Sequence, residues 1–247
     1  IMNNFCVSLT SIPSRLKTIK KTLNSIFNQE LLPKKTFLNL PRKFKRFKKI
    51  NYDFSELKNL YTNLEITECD DYGPGTKLLG SIHKLFDYDY VVLVDDDHLY
   101  NKEMLKIFYE QGAKNLEKAY SFCVYDIIDC KVGQGADGFM INTKFLKNID
   151  AFFNSYVKDD EKLFFHDDLW ISIYINKVLK KEIQNLFPFI KKKFFFNNKS
   201  IYKKHTQIDA LIETYSTDRK KARNLKYNES LISYKKIREL TKNFEEV

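Results

Sequence analysis

The sequence predicts an α/β fold in which helices flank a mostly parallel central sheet. Short apolar runs with the character of strands alternate with segments of helical periodicity along the first half of the chain. One run, residues 90–94, is apolar throughout, as a strand buried on both faces should be. The 247 residues, of which 43% are hydrophobic, are enough to bury such a core without disulfides or a structural metal.

The elements of the first half follow one another in strand–helix order. The first strand ends before Pro13, and Ser14 is placed to cap the helix that follows. The predicted strands are residues 5–10, 36–40, 64–67, 90–94 and 120–124, and the predicted helices are residues 16–27, 76–86 and 102–116. Such alternation builds βαβ units, in which ligands bind at the carboxyl ends of the parallel strands.

The second half of the chain alternates less regularly. Residues 133–138 are its glycine-richest part and lead into a further short strand. The tail, residues 207–247, is predicted to be helical and amphipathic. We therefore expect one domain, with a core over residues 1–190 and a basic, largely helical C-terminal extension of the same domain over residues 191–247.

The charge and the cysteines limit the classes of protein. Lysine and arginine exceed aspartate and glutamate by 42 to 32. This excess favours an anionic partner such as nucleic acid, an acidic membrane face or a phosphorylated substrate, unless it reflects coding bias. The four cysteines lack metal-binding spacing, no apolar run approaches the roughly 20 residues of a membrane span, and residues 1–4 lack the features of a signal peptide. We expect a reduced, cytoplasmic protein.

The strongest motif is the aspartate triplet, Asp95-Asp96-Asp97, which directly follows the apolar run. Adjacent carboxylates repel one another, and a divalent cation that prefers oxygen ligands relieves the repulsion. Alternate residues of an extended segment point the same way, so Asp95 and Asp97 can converge while Asp96 faces elsewhere. A cation held there could bridge to a diphosphate and neutralise a phosphate leaving group. The alternative is a solvated acidic turn.

The triplet belongs to an ordered set of motifs. Residues 91–97 resemble the DxD motif of GT-A-fold glycosyltransferases, with its apolar strand in front. Residues 7–15 resemble the first strand and loop of family-2-like members, where the base of the sugar nucleotide lies. Residues 71–77 resemble the glycine-containing loop and basic residue before the DxD strand, and residues 166–168 stand where such enzymes carry an acidic pair with the catalytic base. The resemblance implies a GT-A (Rossmann-like) fold.

The resemblance also implies a site for a nucleotide-diphosphate sugar, with a UDP-sugar favoured, and for Mn²⁺ or Mg²⁺. The implied catalytic residues are Asp168 and Asp167, and the implied metal ligands are Asp95, Asp97 and His205. The implied donor-binding residues are Thr10, Ile12, Arg15, Asp71, Lys77, Asp95, Asp96 and Asp137. Lys77 near a helix N-terminus would combine a cation with backbone N–H groups that suit a phosphate.

Several of these residues also have a structural interpretation. Asp71 could form a turn rather than contact a base or a ribose. Asp167 and Asp168 could be acids that the N-terminus of a helix favours, and His205 could be an exposed histidine between lysines. A structural role is expected for the two remaining histidines of the first half, His83 and His98.

The sequence thus predicts a metal-dependent glycosyltransferase that acts on a hydroxyl of a glycan or lipid-linked acceptor, with inversion implied by the resemblance. One competing interpretation is a basic nucleic-acid or membrane binding module, which leaves the clustered aspartates unexplained. Another is a DxD phosphatase, whose motif would stand near the start of the fold. Residues 189–196 mix lysine with phenylalanine, which suits peripheral attachment to the cytoplasmic face of an anionic membrane, or the basic edge of a strand. Nucleic acid is the less expected partner.

Overall fold

The computed structural model describes residues 4–47, 54–190 and 202–241. The strands are β1 (Phe5–Thr10), β2 (Lys35–Pro41), β3 (Leu64–Cys69), β4 (Tyr90–Leu93), β5 (His98–Tyr100), β6 (Lys118–Ser121), β7 (Val124–Ile127), β8 (Cys130–Gly133), β9 (Phe139–Asn142), β10 (Glu182–Asn185) and β11 (Tyr202–Lys204). The helices are α1 (Ile19–Phe27), α2 (Ser55–Leu60), α3 (Thr76–Leu79), α4 (Ile82–Leu85), α5 (Met104–Gly112), α6 (Ile149–Tyr156), α7 (Glu161–Phe164), α8 (Asp167–Ile173) and α9 (Arg219–Leu240).

Within these residues a seven-stranded sheet has the order β10-β6-β9-β4-β1-β2-β3. β1 pairs in parallel with β2 and β4, β2 with β3, and β6 with β10. β9 lies between β4 and β6 and runs antiparallel to both. The predicted α/β fold with a mostly parallel central sheet and a C-terminal helix is confirmed. Strand–helix alternation does not predict the antiparallel β9, which enters the sheet without a crossover helix.

The side chains of the sheet alternate between two hydrophobic layers. On β1, Val7 and Leu9 point into one layer and Cys6 into the other. On β4, Val92 joins the first layer and Val91 the second. Residues of α1 and α5 cover the first layer, and residues of α6, α8 and α9 cover the second. Helices on both faces explain why the strand before the aspartate triplet is apolar at every position.

The helix predicted over residues 76–86 is broken into α3 and α4 between Gly80 and Ser81. Gly80 lies directly against the sheet, because a Cβ atom there would be 2.7 Å from Cβ of Asn39. The Ser81 hydroxyl donates a hydrogen bond to the Asn39 side-chain oxygen. The break therefore lets α3 approach the sheet closely enough to share its buried polar groups.

Two other predicted boundaries are wrong. The strand predicted over residues 120–124 ends at Ser121, and Val124 instead begins the β7–β8 hairpin. Ser14 caps no helix: it lies inside the short 3₁₀ turn Pro13–Arg15, and Thr18 precedes α1. In both places a turn follows the strand more tightly than hydrophobic periodicity can indicate.

The C-terminal part completes a small two-stranded sheet with β5 and packs on the second layer. β11 pairs antiparallel with β5, with Lys204 opposite His98. α9 begins after Asp218, whose carboxylate accepts a hydrogen bond from the first turn of the helix. Tyr234 and Ile237 of α9 are fully buried. In the described ranges no helix has the length and apolar character that crossing a membrane requires. The division of the domain at residue 190 stays a prediction.

Candidate active site

A cavity of about 230 Å³ opens at the carboxyl ends of β1 and β4. In the order β3-β2-β1-β4, the chain adds β2 and β3 on one side of β1 and then β4 on the other side. The cavity therefore lies at the topological switch point, where open α/β sheets bind ligands. The predicted site residues that line it are Thr10, Ile12, Arg15, Asp71, Lys77, Asp95, Asp96, Asp97, Asp167 and Asp168. A larger cavity of about 390 Å³ lies against Cys69, Ser81 and Asn154. We place the candidate site in the smaller cavity because the buried charges converge there.

The three carboxylates of the aspartate triplet diverge, and each meets a different set of groups. Asp95 contacts the ammonium of Lys77. Asp96 accepts hydrogen bonds from the Ser11 hydroxyl at 2.5 Å and from the Arg15 guanidinium at 2.6 Å. The Asp96 side chain is therefore turned toward the loop after β1, where Arg15 contacts it and also reaches Asp97.

Asp97 is the most crowded of the three. Its Oδ1 atom lies 2.5 Å from His98 Nδ1, and its Oδ2 atom lies 3.1 Å from Lys204 Nζ and 3.3 Å from the Arg15 guanidinium. Burial would raise the pKa of Asp97, but His98, Arg15 and Lys204 together hold that pKa below its ordinary value. Asp97 is therefore a carboxylate anion held among cationic or polarisable groups.

Asp95, Asp97 and His98 bring one ligand atom each to within 4.8 Å of one another, the one such group among the residues that the structure describes. Carboxylate oxygens suit Mg²⁺ and Mn²⁺, and an imidazole nitrogen favours the transition-metal ion of the two. The donor atoms present therefore fit the divalent ion that the sequence predicts. His98, for which the sequence suggests a structural role, is the histidine of this group.

Lys77 is a buried cation between two acidic elements. Its side chain is 4% exposed, and its ammonium contacts Asp95 and lies 2.9 Å from Asp167 Oδ2. Burial would lower the pKa of Lys77, but Asp167 and Asp95 raise it well above its ordinary value. The Ser8 hydroxyl donates to the Lys77 carbonyl at 2.5 Å, and Asn39 Nδ2 donates to the same carbonyl at 3.3 Å. These buried bonds fasten α3 to the sheet and fix where the ammonium points.

The loop in front of α3 depends on a glycine. Gly73 has φ +59°, a left-handed conformation that L side chains rarely adopt, and a Cβ atom there would lie 2.6 Å from the Phe164 carbonyl oxygen. Asp71 stabilises this turn, because its carboxylate accepts hydrogen bonds from the N–H groups of Gly73 at 2.8 Å and Lys45 at 2.6 Å. Asp71 thus makes the turn contacts of its structural interpretation and also lines the cavity.

The acidic pair Asp167 and Asp168 opens α8, as the sequence predicts. Asp168 Oδ1 accepts a hydrogen bond from the Gly135 N–H at 2.8 Å. Burial, followed by the neighbouring Asp167 charge, raises the pKa of Asp168 to about 7. A Cβ atom on Gly135 would lie 3.1 Å from Lys77 Nζ and 3.3 Å from Asp168 Oδ1, so the glycine leaves room for these charged groups to meet.

The residue in front of the acidic pair, His166, ties α8 to the C-terminal part of the chain. Its Nε2 atom lies 2.7 Å from the Tyr215 hydroxyl, and its Nδ1 atom lies 3.1 Å from the Ser230 hydroxyl of α9. Tyr215 also donates to Glu229 at 3.1 Å. Burial, aided by the charge of Lys226, lowers the pKa of His166 to about 4. A neutral imidazole therefore joins the start of α8 to α9 beside the cavity.

Two predicted residues do not line the cavity. Asp137 is 5% exposed, and burial raises its pKa to about 6. His205 donates its backbone N–H to the Asp97 carbonyl at 2.9 Å, and its Nε2 atom lies 2.9 Å from the Thr22 hydroxyl. The ring thus engages α1, while the backbone supports the turn of the triplet. Metal ligation by His205 stays a prediction.

Three residues that contact the side chains of the triplet were missed by the sequence prediction: Ser11, His98 and Lys204. Ser11 lies between Thr10 and Ile12 in the motif after β1, so the motif already indicated this part of the chain as a site. His98 follows the triplet directly, but the chain turns at residues 96–97, so strand alternation no longer says which side it faces. Lys204 reaches Asp97 only because β11 pairs with β5. No local pattern reports a pairing over that separation.

No protein-family profile and no curated protein matches the chain. Among solved structures, the mannosyltransferase PcManGT from Pyrobaculum calidifontis, in complex with GDP-Man and Mn²⁺, is 14% identical with a TM-score of 0.52, over 73% of this chain and 54% of that one. S. aureus TarS is 16% identical with a TM-score of 0.52, over 86% of this chain and 38% of that one. The structure of S. aureus TarS residues 1–349 in complex with UDP-GlcNAc is 16% identical with a TM-score of 0.51, over 92% of this chain and 66% of that one.

These structural likenesses show the fold. The chain has a GT-A-like fold, as the sequence predicts. It spans only about half the length of the mannosyltransferase and a smaller share of the full TarS structure.

Proposed function

We propose that this chain is a glycosyltransferase that moves a sugar from a nucleotide-diphosphate donor to a hydroxyl of a glycan or lipid-linked acceptor. The observation that carries the proposal is the convergence in one cavity of the aspartate triplet, the buried cation Lys77 and the acidic pair of α8. The GT-A-like fold, and the nucleotide-sugar complexes of the structures that share it, support the same function.

The donor would lie across the carboxyl ends of β1 and β4. Thr10, Ile12 and Asp71 line the cavity, and we assign them to the nucleoside, with a UDP-sugar favoured. Arg15 and Lys77 would offset the charge of the diphosphate. Asp96 is assigned to a sugar or ribose hydroxyl, from which a carboxylate can accept a hydrogen bond. A contact of Asp137 with such a hydroxyl stays a prediction, because that residue is buried outside the cavity lining.

We assign the divalent ion, Mn²⁺ or Mg²⁺, to Asp95 and Asp97 with a histidine. His98 has the geometry for this role in the described residues, and His205 is the second candidate. When bound, such an ion supplies Lewis-acid stabilisation of the charge that develops on a departing diphosphate. Lys77 contributes in the same direction from the other side of Asp95, because its ammonium is fixed and desolvated.

Asp168 is our candidate for the general base, with Asp167 second. Asp167 Oδ2 lies 2.9 Å from Lys77, so that carboxylate is held as a counter-ion. Asp168 instead accepts a hydrogen bond from the Gly135 N–H with one carboxylate oxygen. It also borders the cavity, where the carboxylate can take the proton of an acceptor hydroxyl. Its pKa of about 7 is matched to proton transfer near neutral pH. A base facing the acceptor gives inversion by a single displacement.

We further propose that the chain acts in the cytoplasm and meets a lipid-linked acceptor at an anionic membrane surface. Phe187 and Phe189 are about half exposed at the end of the described core, at 52% and 53%. The basic aromatic run that continues from them, residues 191–196, lies outside the described residues. Exposed aromatic side chains beside several lysines suit the interface of such a membrane.

Two rival functions explain less. A DxD phosphatase would carry the triplet after the first strand of its fold, whereas here three strands of the sheet precede β4. A basic binding module gives no reason for buried carboxylates to converge with Lys77 inside a cavity. Strong retention on an anionic polymer without binding of any sugar nucleotide would favour the basic module.

The test is calorimetry with UDP- and GDP-sugars, with and without Mn²⁺, followed by turnover assays on Asp97→Ala and Asp97→Asn. We expect metal-dependent binding of a sugar nucleotide by the wild type and loss of metal-dependent turnover in both variants. Asp126→Ala, at an exposed carboxylate of β7, is the matched control and should keep wild-type turnover. The proposal fails if no nucleotide binds with metal present. Full activity of both Asp97 variants would remove the metal role of the triplet.

A further inference from the structure

We propose that Lys204 is a built-in counter-ion of the metal site. Its ammonium pairs with the Asp97 carboxylate in this structure, and it turns to the donor diphosphate when a divalent ion binds. This inference rests on the proposed function, because it needs both the ion and the diphosphate. It assigns a role to a residue of the C-terminal part that the resemblance and the sequence leave out.

The backbone places Lys204 beside the candidate metal group. β11 pairs antiparallel with β5, and Lys204 stands directly opposite His98. The next residue, His205, donates its backbone N–H to the Asp97 carbonyl at 2.9 Å. The strand pairing and this extra bond hold the Cα atom of Lys204 in register with the triplet. The position of the lysine is therefore built into the fold rather than left to a freely moving surface chain.

The side chain of Lys204 links a ligand of the metal group to the open cavity. Its ammonium lies 3.1 Å from Asp97 Oδ2, while Asp97 Oδ1 faces His98 Nδ1 at 2.5 Å. The Asp97 side chain is 5% exposed but the Lys204 side chain is 33% exposed, and both line the cavity. Asp97 is therefore fixed and desolvated, whereas Lys204 keeps a flexible four-carbon stem and a partly exposed ammonium.

Charge decides how these groups can rearrange. A divalent ion on Asp95, Asp97 and His98 would stand close to the Lys204 ammonium, and like charges at such a separation repel. Lys204 can relieve the repulsion by rotating, because its head group is partly solvated, whereas Lys77 is buried and cannot. A diphosphate in the cavity, beside Arg15 and Lys77, then offers Lys204 anionic oxygens in place of the Asp97 carboxylate. Lys204 would thus weaken the binding of the divalent ion when no nucleotide is present. It would strengthen the binding of the nucleotide once the ion is in place.

The chain offers a matched control one residue away. Lys203 lies on the same strand opposite Leu99, and its side chain is exposed on the other side of β11. Lys203→Met and Lys204→Met remove the same charge from the same strand and keep a similar stem. Only the Lys204 variant removes a cation from Asp97, and Arg15 stays beside that carboxylate in both variants.

The experiment measures Mn²⁺ binding by electron paramagnetic resonance, and binding of UDP and GDP by calorimetry at saturating Mn²⁺. For Lys204→Met we expect Mn²⁺ to bind about two- to fivefold more tightly than to the wild type, since a part-exposed competing cation is lost. We expect the nucleotide to bind about tenfold more weakly, because a charge-assisted hydrogen bond is lost. Lys203→Met should match the wild type in both measurements and in melting temperature.

The outcomes separate this inference from the proposed function. If the wild type binds neither Mn²⁺ nor either nucleotide, the proposed function fails and this inference falls with it. If the wild type binds both and Lys204→Met behaves like Lys203→Met, the inference alone is wrong. Weaker Mn²⁺ binding by Lys204→Met would also overturn it, since Lys204 would then support the ion rather than compete with it.

Discussion

Lowering the pH should unfold this protein partly through His166. Each ring nitrogen faces a hydroxyl group, Tyr215 at 2.7 Å and Ser230 at 3.1 Å, and the ring is buried. The Glu229 carboxylate lies further away, 3.7 Å from Nε2. Burial first, and then the charge of Lys226, lowers the pKa of His166 from 6.5 to about 4. The folded protein therefore holds the imidazole neutral under conditions in which an unfolded chain would protonate it.

The sign and size of the effect follow from this shift. Between pH 6.5 and pH 4 the unfolded state binds the proton and the folded state does not, so stability is complete above pH 6.5 and falls as the pH is lowered toward 4. At 1.36 kcal/mol for each pKa unit, the loss from this residue approaches about 3 kcal/mol. That is a large part of the stability of an ordinary domain.

The assay is urea unfolding of the wild type and His166→Gln at several pH values from 7.5 to 4.5, followed by fluorescence. Trp170 is the only tryptophan of the sequence and is fully buried, so its emission reports the core around α8. Carboxylates that titrate in this range do so in both proteins and cancel in the difference. The free-energy difference between the two proteins should shrink by about 2.5 kcal/mol between pH 7.5 and pH 4.5. A difference that stays constant would refute the role of a buried neutral imidazole.

Two further predictions concern turnover. Asp168→Asn keeps an oxygen for the Gly135 N–H but cannot accept a proton, so kcat should fall by about 10²-fold or more while donor binding changes little. In the pH–rate profile of this variant, the rise in kcat with an apparent pKa near 7 should be absent. An unchanged profile would instead assign the general base to Asp167. Gly135→Ala puts a methyl group 3.1 Å from Lys77 Nζ and 3.3 Å from Asp168 Oδ1, and kcat/KM should fall about tenfold or more, with little change in melting temperature. Wild-type kcat/KM in this variant would show that the crowding is harmless.

Much of the fold was predictable because its signals are local. An apolar run between turns, repeated with helices of period 3.6, needs only neighbouring residues to be recognised, and β1, β2, β3 and β4 all have that form. The position of the aspartate triplet at the end of β4 then followed from adjacency in the sequence. The turn and acidic-pair motifs around Lys77 and Asp168 were predictable for the same reason.

The features that could not be predicted depend on pairing between distant segments. β9 reads as an ordinary apolar strand, and nothing in its residues says that it runs antiparallel between β4 and β6. The break at Gly80 depends on how close the Asn39 side chain stands on β2. The contact of Lys204 with Asp97 depends on the pairing of β11 with β5. Tertiary contacts decide each of these, and they override local preference.

The aspartate triplet shows why carboxylates are easier to predict at such a site than their counter-ions. The three acids are consecutive, and their mutual repulsion is apparent in the sequence itself. The cations come from three separate places: Arg15 after β1, Lys77 on α3 and Lys204 on β11. In a chain with 42 basic residues none of these stands out by type. Their contacts with the triplet distinguish them, because a desolvated acid such as Asp96 or Asp97 must have a partner, whereas an exposed lysine elsewhere need not. Of the three cations, Lys204 is the most exposed, so it is the one that can leave its acid when another charge enters the cavity.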